Sequence, residues 1–380
     1  MKIVYVYDAI ARIGGVERIL VDKMNYLSDH YHHDVYLITA AQGNHGYSFP
    51  LSPNVKHIDI NVRFHLQYQY KYPKRLWVKW KMDYLLKKEL QKQVKAIDPD
   101  IIIGTTYYKA DVICKLKCRA KKIIESHCAK SYTGVADGVN RNAVIRLFHR
   151  LYLIQYNNII ERQSDALIVL TRSDASEWNK QKNVFIIPNT INCIPQETSS
   201  YKKKRVISVG RLVYQKGFDR LISAWKTVHN RHPDWQLDIF GEGAHKEILL
   251  KQIKNEKLES TIRINPYAKQ IFQEYINSSI FVLPSRYEGF GLVLIEAMAC
   301  GLPCVSFDCP YGPSDIIKEQ EDGILVPNDD INKLGDKICY LIENEQTMTK
   351  FGNNARENSK RFLPEHIMLL WDQLLKRITQ

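Results

Sequence analysis

Short apolar runs recur through the first half of the chain, and segments of helical length and polarity separate them. Several runs are rich in Val and Ile, and they cover residues 3–7, 35–40, 55–60, 100–104, 122–126 and 166–170. Such runs are typical of buried strands in a parallel sheet, because helices cover both faces of that sheet. The pattern predicts a doubly wound α/β domain whose ligands bind at the carboxyl ends of the strands.

The same alternation resumes after a polar, turn-rich stretch at residues 195–204 (PQETSSYKKK), which we interpret as part of a linker. The second series starts at Arg205, and further strands are predicted at residues 236–241, 261–265, 279–283, 303–307 and 323–326. An amphipathic helix is predicted at residues 362–375. We therefore expect two domains, residues 1–190 and 191–362, followed by a helix over residues 363–380.

One stretch of the second domain, residues 284–303 (PSRYEGFGLVLIEAMACGLP), combines a strand end, a glycine loop and a helix start. The helical pattern begins at Leu292, and Gly301 and Pro303 end it. A loop of this kind presents unpaired backbone N–H groups, with the positive end of the helix dipole behind them. The stretch predicts an anion-binding site at Gly291 and Leu292.

Two carboxylates frame this glycine loop. Glu288 precedes the loop, and Glu296 follows it with seven residues between them. Residues 292–299 are otherwise apolar, so Glu296 would be costly to bury without a partner. Hydroxyl groups of a ligand would serve as that partner, and a solvated glutamate on an outer helix face is the alternative. We favour a binding site.

A cationic turn, residues 209–219 (VGRLVYQKGFD), follows the first strand of the second domain. Arg211 and Lys216 lie between that strand and the next helix, opposite the loop of Gly291. Two cations at this place could clamp a diphosphate, because arginine offers a planar fork of donors and lysine a point charge. The alternative is ordinary surface charge.

These motifs resemble a known family. EGFGLxxxE followed by AMACGxP is similar to the donor-site signature of the retaining glycosyltransferases of family 4, and GRLxxxKG at residues 210–217 matches that family at each fixed position. The resemblance implies the GT-B fold, an α/β architecture in which two doubly wound Rossmann-like domains face each other across a cleft. It also implies a C-terminal helix that crosses back to the first domain, and a nucleotide-diphosphate sugar as donor, with UDP-sugar favoured.

The resemblance also assigns roles to individual residues. Glu288 would lie against the donor sugar, Glu296 would hold the ribose hydroxyl groups, and Arg211 and Lys216 would bind the diphosphate. Whether Glu288 is a nucleophile or supports a front-face reaction stays open. The remaining donor-site positions that the resemblance implies are Gly241, Tyr267, which lies where the family binds the nucleobase, Gly289, Phe290, Gly291, Leu292 and Val293.

Further candidates lie in or next to the first domain. Gly14 and Gly15 would let the backbone approach a ligand at a helix start, and a plain tight turn is the alternative. His127 follows a predicted strand, where a site or a structural histidine could lie. The family carries a glycine pair near the donor diphosphate and often a histidine beside the donor sugar. Asn189, after the last strand of the domain, is a further candidate.

The net charge of +13 is unevenly distributed. Residues 1–180 contain 28 Lys and Arg against 17 Asp and Glu, whereas the remainder contains 26 against 24. A basic first half indicates an anionic partner, for which nucleic acid and an anionic membrane surface are both candidates.

Within this half, the segment Tyr70–Lys95 interleaves basic and aromatic residues. From residue 71 to 95 it holds nine Lys and Arg, two acidic residues, and Tyr72, Trp77, Trp80 and Tyr84. Exposed rings beside amines suit the interface of an anionic membrane. The alternatives are a helix that packs its rings inward and an RNA-binding surface, but no RNP, KH or helix-turn-helix signature is present. We favour membrane contact and expect no nucleic acid partner.

Metal, disulfide and membrane-span signals are weak or missing in the sequence. Asp98-Pro99-Asp100 resembles a metal-binding D-x-D, but its place directly before IIIGT favours a strand start. The eight cysteines form no C-x-x-C pair, and we interpret them as small buried hydrophobic residues. No run approaches the ~20 apolar residues that a spanning helix needs. We expect no cofactor and no metal, and a cytoplasmic protein held peripherally on the inner face of the plasma membrane.

The sequence therefore favours a retaining, metal-independent glycosyltransferase. Its acceptor would be a glycan or a lipid-linked saccharide, since residues 308–315 (DCPYGPSD) resemble the members of family 4 that build bacterial surface polysaccharides. Closure of the two domains about a linker near residues 190–204 would exclude water. Two alternatives remain: a nucleotide-sugar epimerase of the same fold, and a non-catalytic protein that binds membranes or nucleic acid.

Overall fold

The computed structural model describes residues 1–12, 14–71, 73–132, 143–178 and 183–380. Its strands form two separate sheets, in which every pair of neighbouring strands is parallel. One sheet is built from residues 2–186 and the other from residues 205–327. The prediction of two doubly wound Rossmann-like units is confirmed.

The first sheet has seven strands, with helices in the connections between them. Its strands are β1 (Lys2–Tyr7), β2 (Asp34–Thr39), β3 (Lys56–Asp59), β4 (Ile101–Thr105), β5 (Lys121–Glu125), β6 (Ala166–Val169) and β7 (Val184–Ile186). Its helices are α1 (Gly15–Asp29), α2 (Lys74–Ile97), α3 (Ala110–Cys114), α4 (Ala143–Gln163) and α5 (Arg172–Glu177). The spatial order is β3-β2-β1-β4-β5-β6-β7, so the strand order reverses between β1 and β4.

The second sheet repeats this plan with six strands. Its strands are β8 (Arg205–Val209), β9 (Gln236–Phe240), β10 (Ile262–Asn265), β11 (Ile280–Leu283), β12 (Cys304–Asp308) and β13 (Gly323–Pro327). Its helices are α6 (Phe218–Arg231), α7 (Lys246–Asn255), α8 (Ile271–Ile276), α9 (Leu292–Ala299), α10 (Pro313–Ile316), α11 (Ile331–Glu343) and α12 (Glu345–Ser359). The spatial order β10-β9-β8-β11-β12-β13 places the reversal between β8 and β11.

The strands form where the apolar runs predict them, because the central strands of each sheet are covered on both faces, whereas the edge strands β3 and β7 are only partly buried. Ile102 in β4 and Phe281 in β11 are both fully buried at the centres of their sheets. Open parallel sheets bind ligands at the carboxyl ends of their strands, beside the point where the strand order reverses. We therefore expect ligand-binding residues in the loops after β1 and β4, and after β8 and β11.

The last helix, α13 (Pro364–Thr379), packs against the first sheet although it follows the second. Ile367, Met368 and Trp371 are buried in the same hydrophobic cluster as β1 and β4. The predicted crossing of the C-terminal helix is therefore observed. It ties the end of the chain to the first domain by burial of one apolar face.

The stretch interpreted as a linker is packed against the second domain. Ser199 is buried; its N–H donates to Cys300 O (3.0 Å) and its hydroxyl to Ser278 O (2.5 Å). The hydroxyl of Tyr201 donates to Gly301 O at 2.8 Å. The stretch thus lies between β7 and β8, and the side chains of Ser199 and Tyr201 bond to the domain that follows.

The aromatic rings of the segment Tyr70–Lys95 point outward. Trp77, Trp80 and Tyr84 of α2 are 60%, 67% and 58% exposed, so the interpretation that they pack inward is wrong for these three. Tyr72 lies outside the described residues.

A second exposed apolar face lies on α4, where sequence analysis made no prediction. It consists of Leu147, Phe148, Leu151, Tyr152 and Ile154, which are about half or more exposed. Partial burial raises the pKa of the Tyr152 phenol, and the charges of Asp111 and Asp83 raise it further. Residues 109 and 110 join the two helices: Lys109 Nζ lies 2.5 Å from Asp83 Oδ1 of α2, and the backbone N–H of Ala110 donates to the hydroxyl of Tyr156 on α4 at 3.2 Å.

Candidate active site

The loops after β8 and β11 lie against each other at the reversal point of the second sheet. Gly217 has a φ of +65°, and a Cβ there would lie 2.0 Å from the carbonyl oxygen of Pro284. Glycine is therefore required for this close approach. The backbone N–H of Arg286 donates to Gln215 O at 2.8 Å, which joins the two loops directly.

This contact places Glu288 beside Lys216. Lys216 Nζ lies 2.6 Å from Glu288 Oε1 and 2.9 Å from Oε2. The hydroxyl of Ser285 donates to Oε1 at 2.6 Å, and Glu288 is only 5% exposed. Two residues that sequence analysis assigned to the sugar and to the diphosphate thus form one largely buried ion pair.

Glu296 lies on α9 and meets a cation from the other domain. Arg18 Nη1 of α1 donates to Glu296 Oε1 at 3.0 Å, and the hydroxyl of Tyr275 donates to Oε2 at 3.3 Å. Burial raises the pKa of Glu296, and the charge of Arg18 opposes that rise. Arg18 and Tyr275 therefore supply the hydrogen-bond partners that Glu296 needs on an otherwise apolar helix.

The glycine loop between these carboxylates contacts the first domain. A Cβ at Gly289 would lie 2.5 Å from the carbonyl oxygen of His127, and one at Gly15 would lie 3.1 Å from Leu292 Cδ1. Gly291, with a φ of +101°, caps the N-terminus of α9. The structure thus brings the predicted residues of both domains to one place.

The other residues of the loop pack against the second domain. Phe290 is buried, Val293 is half-buried, and a Cβ at Gly312 would lie 2.1 Å from the carbonyl oxygen of Phe290. The position of the loop is therefore set by close backbone packing from the segment after β12.

Gly14 is the N-cap of α1 in an extended conformation, with no side-chain cap. A Cβ at Gly14 would meet the carboxylate of Glu17 at 2.3 Å, and Glu17 Oε1 accepts a hydrogen bond from the hydroxyl of Tyr7 at 3.1 Å. The glycine pair therefore lies at the start of α1, beside Leu292 and Glu296 of the second domain.

Three predicted donor residues lie at the rim or the base of this region. The side chains of Arg211 and Tyr267 are exposed, the latter by 61%. Gly241, with a φ of +157°, packs on the carbonyl oxygen of Gly210, which a Cβ would approach to 1.9 Å. Gly241 thus supports the loop that carries Arg211.

Asn189 is buried away from the glycine loop. It lines a small cavity together with Lys23, Glu125 and Trp371. Lys23 Nζ contacts Glu125 Oε2, and His127 Nε2 lies 3.1 Å from the same oxygen. His127 is therefore backed by a buried ion pair.

Sequence analysis missed Arg18, Lys23, Glu125 and Ser285. Arg18 carried one usable signal, because a cation in the first turn of a helix opposes the helix dipole and suggests an anionic partner. Ser285 stands in the quoted stretch, but nothing in the sequence links its hydroxyl to Glu288. Lys23 and Glu125 lie 102 residues apart in the chain and carry no joint signal.

No group of three or more His, Cys, Asp or Glu side chains that could hold a metal ion occurs in the described parts of the chain. Asp98 and Asp100, the pair that resembles a metal-binding D-x-D, contact other residues of the first domain. Asp98 caps the end of α2 and pairs with Arg119, and Asp100 Oδ2 accepts from the backbone N–H of Lys2 at 2.8 Å.

Residues 192–358, which contain all of the second sheet, match the family described as "Glycosyl transferases group 1". Together with the relatives below, this match supports a glycosyltransferase. An uncharacterized glycosyltransferase of Haemophilus influenzae is 26% identical over 98% of this chain and 99% of its own length. The amylovoran biosynthesis glycosyltransferase AmsD of Erwinia amylovora is 28% identical, also over 98% of this chain and 99% of its own length.

Solved structures agree on the fold. Sucrose-phosphate synthase of Thermosynechococcus elongatus superposes with a TM-score of 0.81 at 20% identity, over 99% of this chain and 98% of that one. Anabaena HepE in complex with UDP superposes with a TM-score of 0.77 at 18% identity, over 99% of this chain and 100% of that one. The GT-B fold is thereby confirmed, and these matches favour neither the epimerase nor the non-catalytic binding protein.

Proposed function

We propose that this chain is a retaining glycosyltransferase of family 4 that moves a sugar from a nucleotide-diphosphate sugar to a glycan or a lipid-linked saccharide. The contact between Lys216 and Glu288 carries this proposal. It joins a cation suited to phosphate and a carboxylate suited to a sugar, at the reversal point of the second sheet and beside the first domain.

The leaving diphosphate would be stabilised by fixed positive groups. Cleavage of the anomeric bond places negative charge on the diphosphate. Lys216, Arg211 and the N–H groups at the start of α9 after Gly291 are the positive groups that converge there. They supply charge that a metal ion supplies in other glycosyltransferases, so we propose a reaction without a metal or other cofactor.

The sugar and the ribose would contact the two glutamates. Glu288 would face the positive charge that develops on the sugar ring, and Glu296 would accept hydrogen bonds from the ribose hydroxyl groups. His127 would lie beside the sugar, since its carbonyl oxygen packs against Gly289, the residue after Glu288. Both nucleophilic attack by Glu288 and a front-face reaction fit this arrangement.

UDP-sugar is the donor that we propose, and polysaccharide synthesis is the process. AmsD, similar over nearly the whole chain, is described as an amylovoran biosynthesis enzyme, and HepE, of similar fold, holds UDP. The base would meet the backbone around Asn265 and Tyr267, where Tyr267 lies exposed after β10. A cell-surface glycan under construction is therefore the proposed acceptor.

The product of a transfer reaction tests the proposed function. UDP-sugars would be incubated with the protein and with lipid-linked saccharides, and the new bond examined by the one-bond C1–H1 coupling. We expect an α-linked product from an α-linked donor. A β-linked product would contradict retention, and release of free sugar without transfer would indicate an epimerase or hydrolase.

We also propose that the first domain contacts an anionic membrane through α2 and α4. Lys74 Nζ lies 4.7 Å from the ring centroid of Tyr70, and Lys81 Nζ lies 5.6 Å from that of Trp77. Such amine and ring pairs suit the headgroup region, and the apolar face of α4 extends the same surface. Among the described residues, no helix combines the length and the apolar character needed to cross a bilayer. The proposed location is therefore peripheral, on the inner face of the plasma membrane.

Vesicle binding tests this surface. Replacement of Lys74, Arg75, Lys79 and Lys81 by Gln should abolish binding to vesicles with about 30% anionic lipid, since each basic residue contributes about 1 kcal/mol. The matched control replaces four exposed lysines of the second domain, Lys251, Lys254, Lys257 and Lys269. Equal binding of both variants would exclude the proposed surface.

A further inference from the structure

Three titratable side chains form a buried cluster behind the glycine loop. Lys23 of α1, Glu125 at the end of β5 and His127 are 3%, 2% and 7% exposed. Lys23 Nζ and His127 Nε2 both approach Glu125 Oε2, the latter to 3.1 Å. His127 is also the member that reaches the second domain, through its carbonyl oxygen and Gly289.

The C-terminal helix closes this cluster from solvent. Lys23 Nζ lies 4.3 Å from the ring centroid of Trp371 on α13, and Trp371 is buried. A lysine enclosed in this way is costly unless a carboxylate compensates its charge. Burial lowers the pKa of Lys23, and the charge of Glu125 opposes that shift.

The carboxylate at the centre of the cluster is ionised. Burial alone would raise the pKa of Glu125, but Lys23 and His127 hold it below its usual value. Its Oε2 atom is therefore a charged acceptor 3.1 Å from His127 Nε2, and neither ring nitrogen completes a hydrogen bond within the described residues. Other titratable groups around the cluster are Tyr5 of β1, whose pKa burial and the Glu125 charge raise, and Glu288 beside Gly289.

We propose that Lys23 and Glu125 are positioning residues for His127. Glu125 Oε2, 3.1 Å from Nε2, attracts the ring hydrogen to that nitrogen, and Lys23 keeps Glu125 ionised and in place. The imidazole thereby carries its hydrogen on Nε2, and the buried Nδ1, which has no partner among the described residues, is left to accept a hydrogen bond. Only the identity of that last donor, a hydroxyl group of the sugar, rests on the proposed function.

Selective ¹⁵N-histidine labelling of the full chain measures the tautomer directly. The His127 signals are assigned by their loss in His127→Gln. Lys23→Met alone leaves Glu125 buried without its cation and is at risk of misfolding, so the main variant is Lys23→Met with Glu125→Gln, which removes both charges. The matched control is Lys130→Met with Glu161→Gln, which removes a similar pair: Lys130 Nζ lies 2.5 Å from Glu161 Oε1 and 4.6 Å from the Trp178 ring centroid.

We expect one Nε2–H tautomer in the natural protein and in the Lys130/Glu161 control, and a mixture or the Nδ1–H tautomer in the Lys23/Glu125 double variant. With a UDP-sugar as donor, the double variant should lose about 10- to 100-fold in kcat, because the ring is misplaced, whereas donor KM should change less than about threefold. Unchanged tautomer populations in the double variant would overturn the proposal. If no donor is turned over by the natural protein, the proposed function fails, but the tautomer measurement still decides this inference.

Discussion

Lys216 Nζ lies within hydrogen-bonding distance of both carboxylate oxygens of Glu288, at 2.6 and 2.9 Å. The two residues stand 72 positions apart, on loops that meet only because Gly217 lets one backbone pass close to Pro284. In the proposed reaction these charges separate, since Lys216 serves the diphosphate and Glu288 serves the sugar. The contact between them holds both side chains at the place where the proposed donor would bind.

Glu288→Gln should remove turnover but retain donor binding. The amide preserves the shape of the side chain and can still accept the hydrogen bond of Ser285, but it offers no negative charge to the sugar ring. We expect kcat to fall by about 100-fold or more. Donor Kd from titration calorimetry should stay within about threefold, and full activity of this variant would exclude Glu288 from the chemistry.

We expect donor affinity to be lost on acidification, at a pH above the usual pKa of a glutamate. Burial raises the pKa of Glu296 above 4.5. The ionised carboxylate accepts the ribose hydroxyl groups, so affinity is present above the raised pKa and is lost as the pH falls through it. Calorimetric titrations between pH 4.5 and 8 measure this, and Glu296→Gln, which does not titrate, should bind with a flatter pH profile. An identical profile for both proteins would contradict the assignment.

Arg18→Met should move that loss of donor affinity to higher pH. The charge of Arg18 opposes the rise in the pKa of Glu296, so its removal raises this pKa further. Arg119→Met, at an exposed pair with Asp98 in the same domain, is the matched control and should leave the profile unchanged. If Arg18→Met also binds as the natural protein does at every pH, the contact between the domains has no part in donor binding.

Gly241→Ala should unfold more easily and bind donor poorly. Its φ of +157° and the distance of 1.9 Å from a Cβ to Gly210 O force the loop of Arg211 to move. We expect the free energy of unfolding to fall by about 1–3 kcal/mol. Gly46→Ala, where a Cβ meets no atom within 4 Å, is the control and should be neutral in a urea titration. Equal stability of the two variants would show that the Gly241 contact is not required.

The sheets were predictable because their central strands are short apolar runs that are buried on both faces, as Ile102 illustrates. The glycine loop and its carboxylates were predictable for a similar reason, since their chemistry is contained in one continuous stretch. Local sequence was also sufficient for the turn that carries Arg211 and Lys216.

Contacts between distant segments were not predictable. Lys23 resembles any solvated helix lysine until α13 covers it with Trp371, and lysine is rarely buried. Ser199 and Tyr201 have the polarity of a linker, and only the carbonyl groups of a folded second domain show that they are bound. The face of α4 with Phe148 and Leu151 resembles a core stripe, and only the packed domain leaves it exposed.

Calorimetric titration of the natural protein and of Lys216→Met with UDP-sugars and GDP-sugars tests the donor site most directly. We expect a UDP-sugar to bind, and Lys216→Met to weaken it by about 10- to 150-fold, which corresponds to the 1.5–3 kcal/mol of a charged hydrogen bond. Lys226→Met, an exposed lysine of α6, should bind as the natural protein does. Binding of no nucleotide sugar, or equal binding by Lys216→Met, would contradict the proposed donor site.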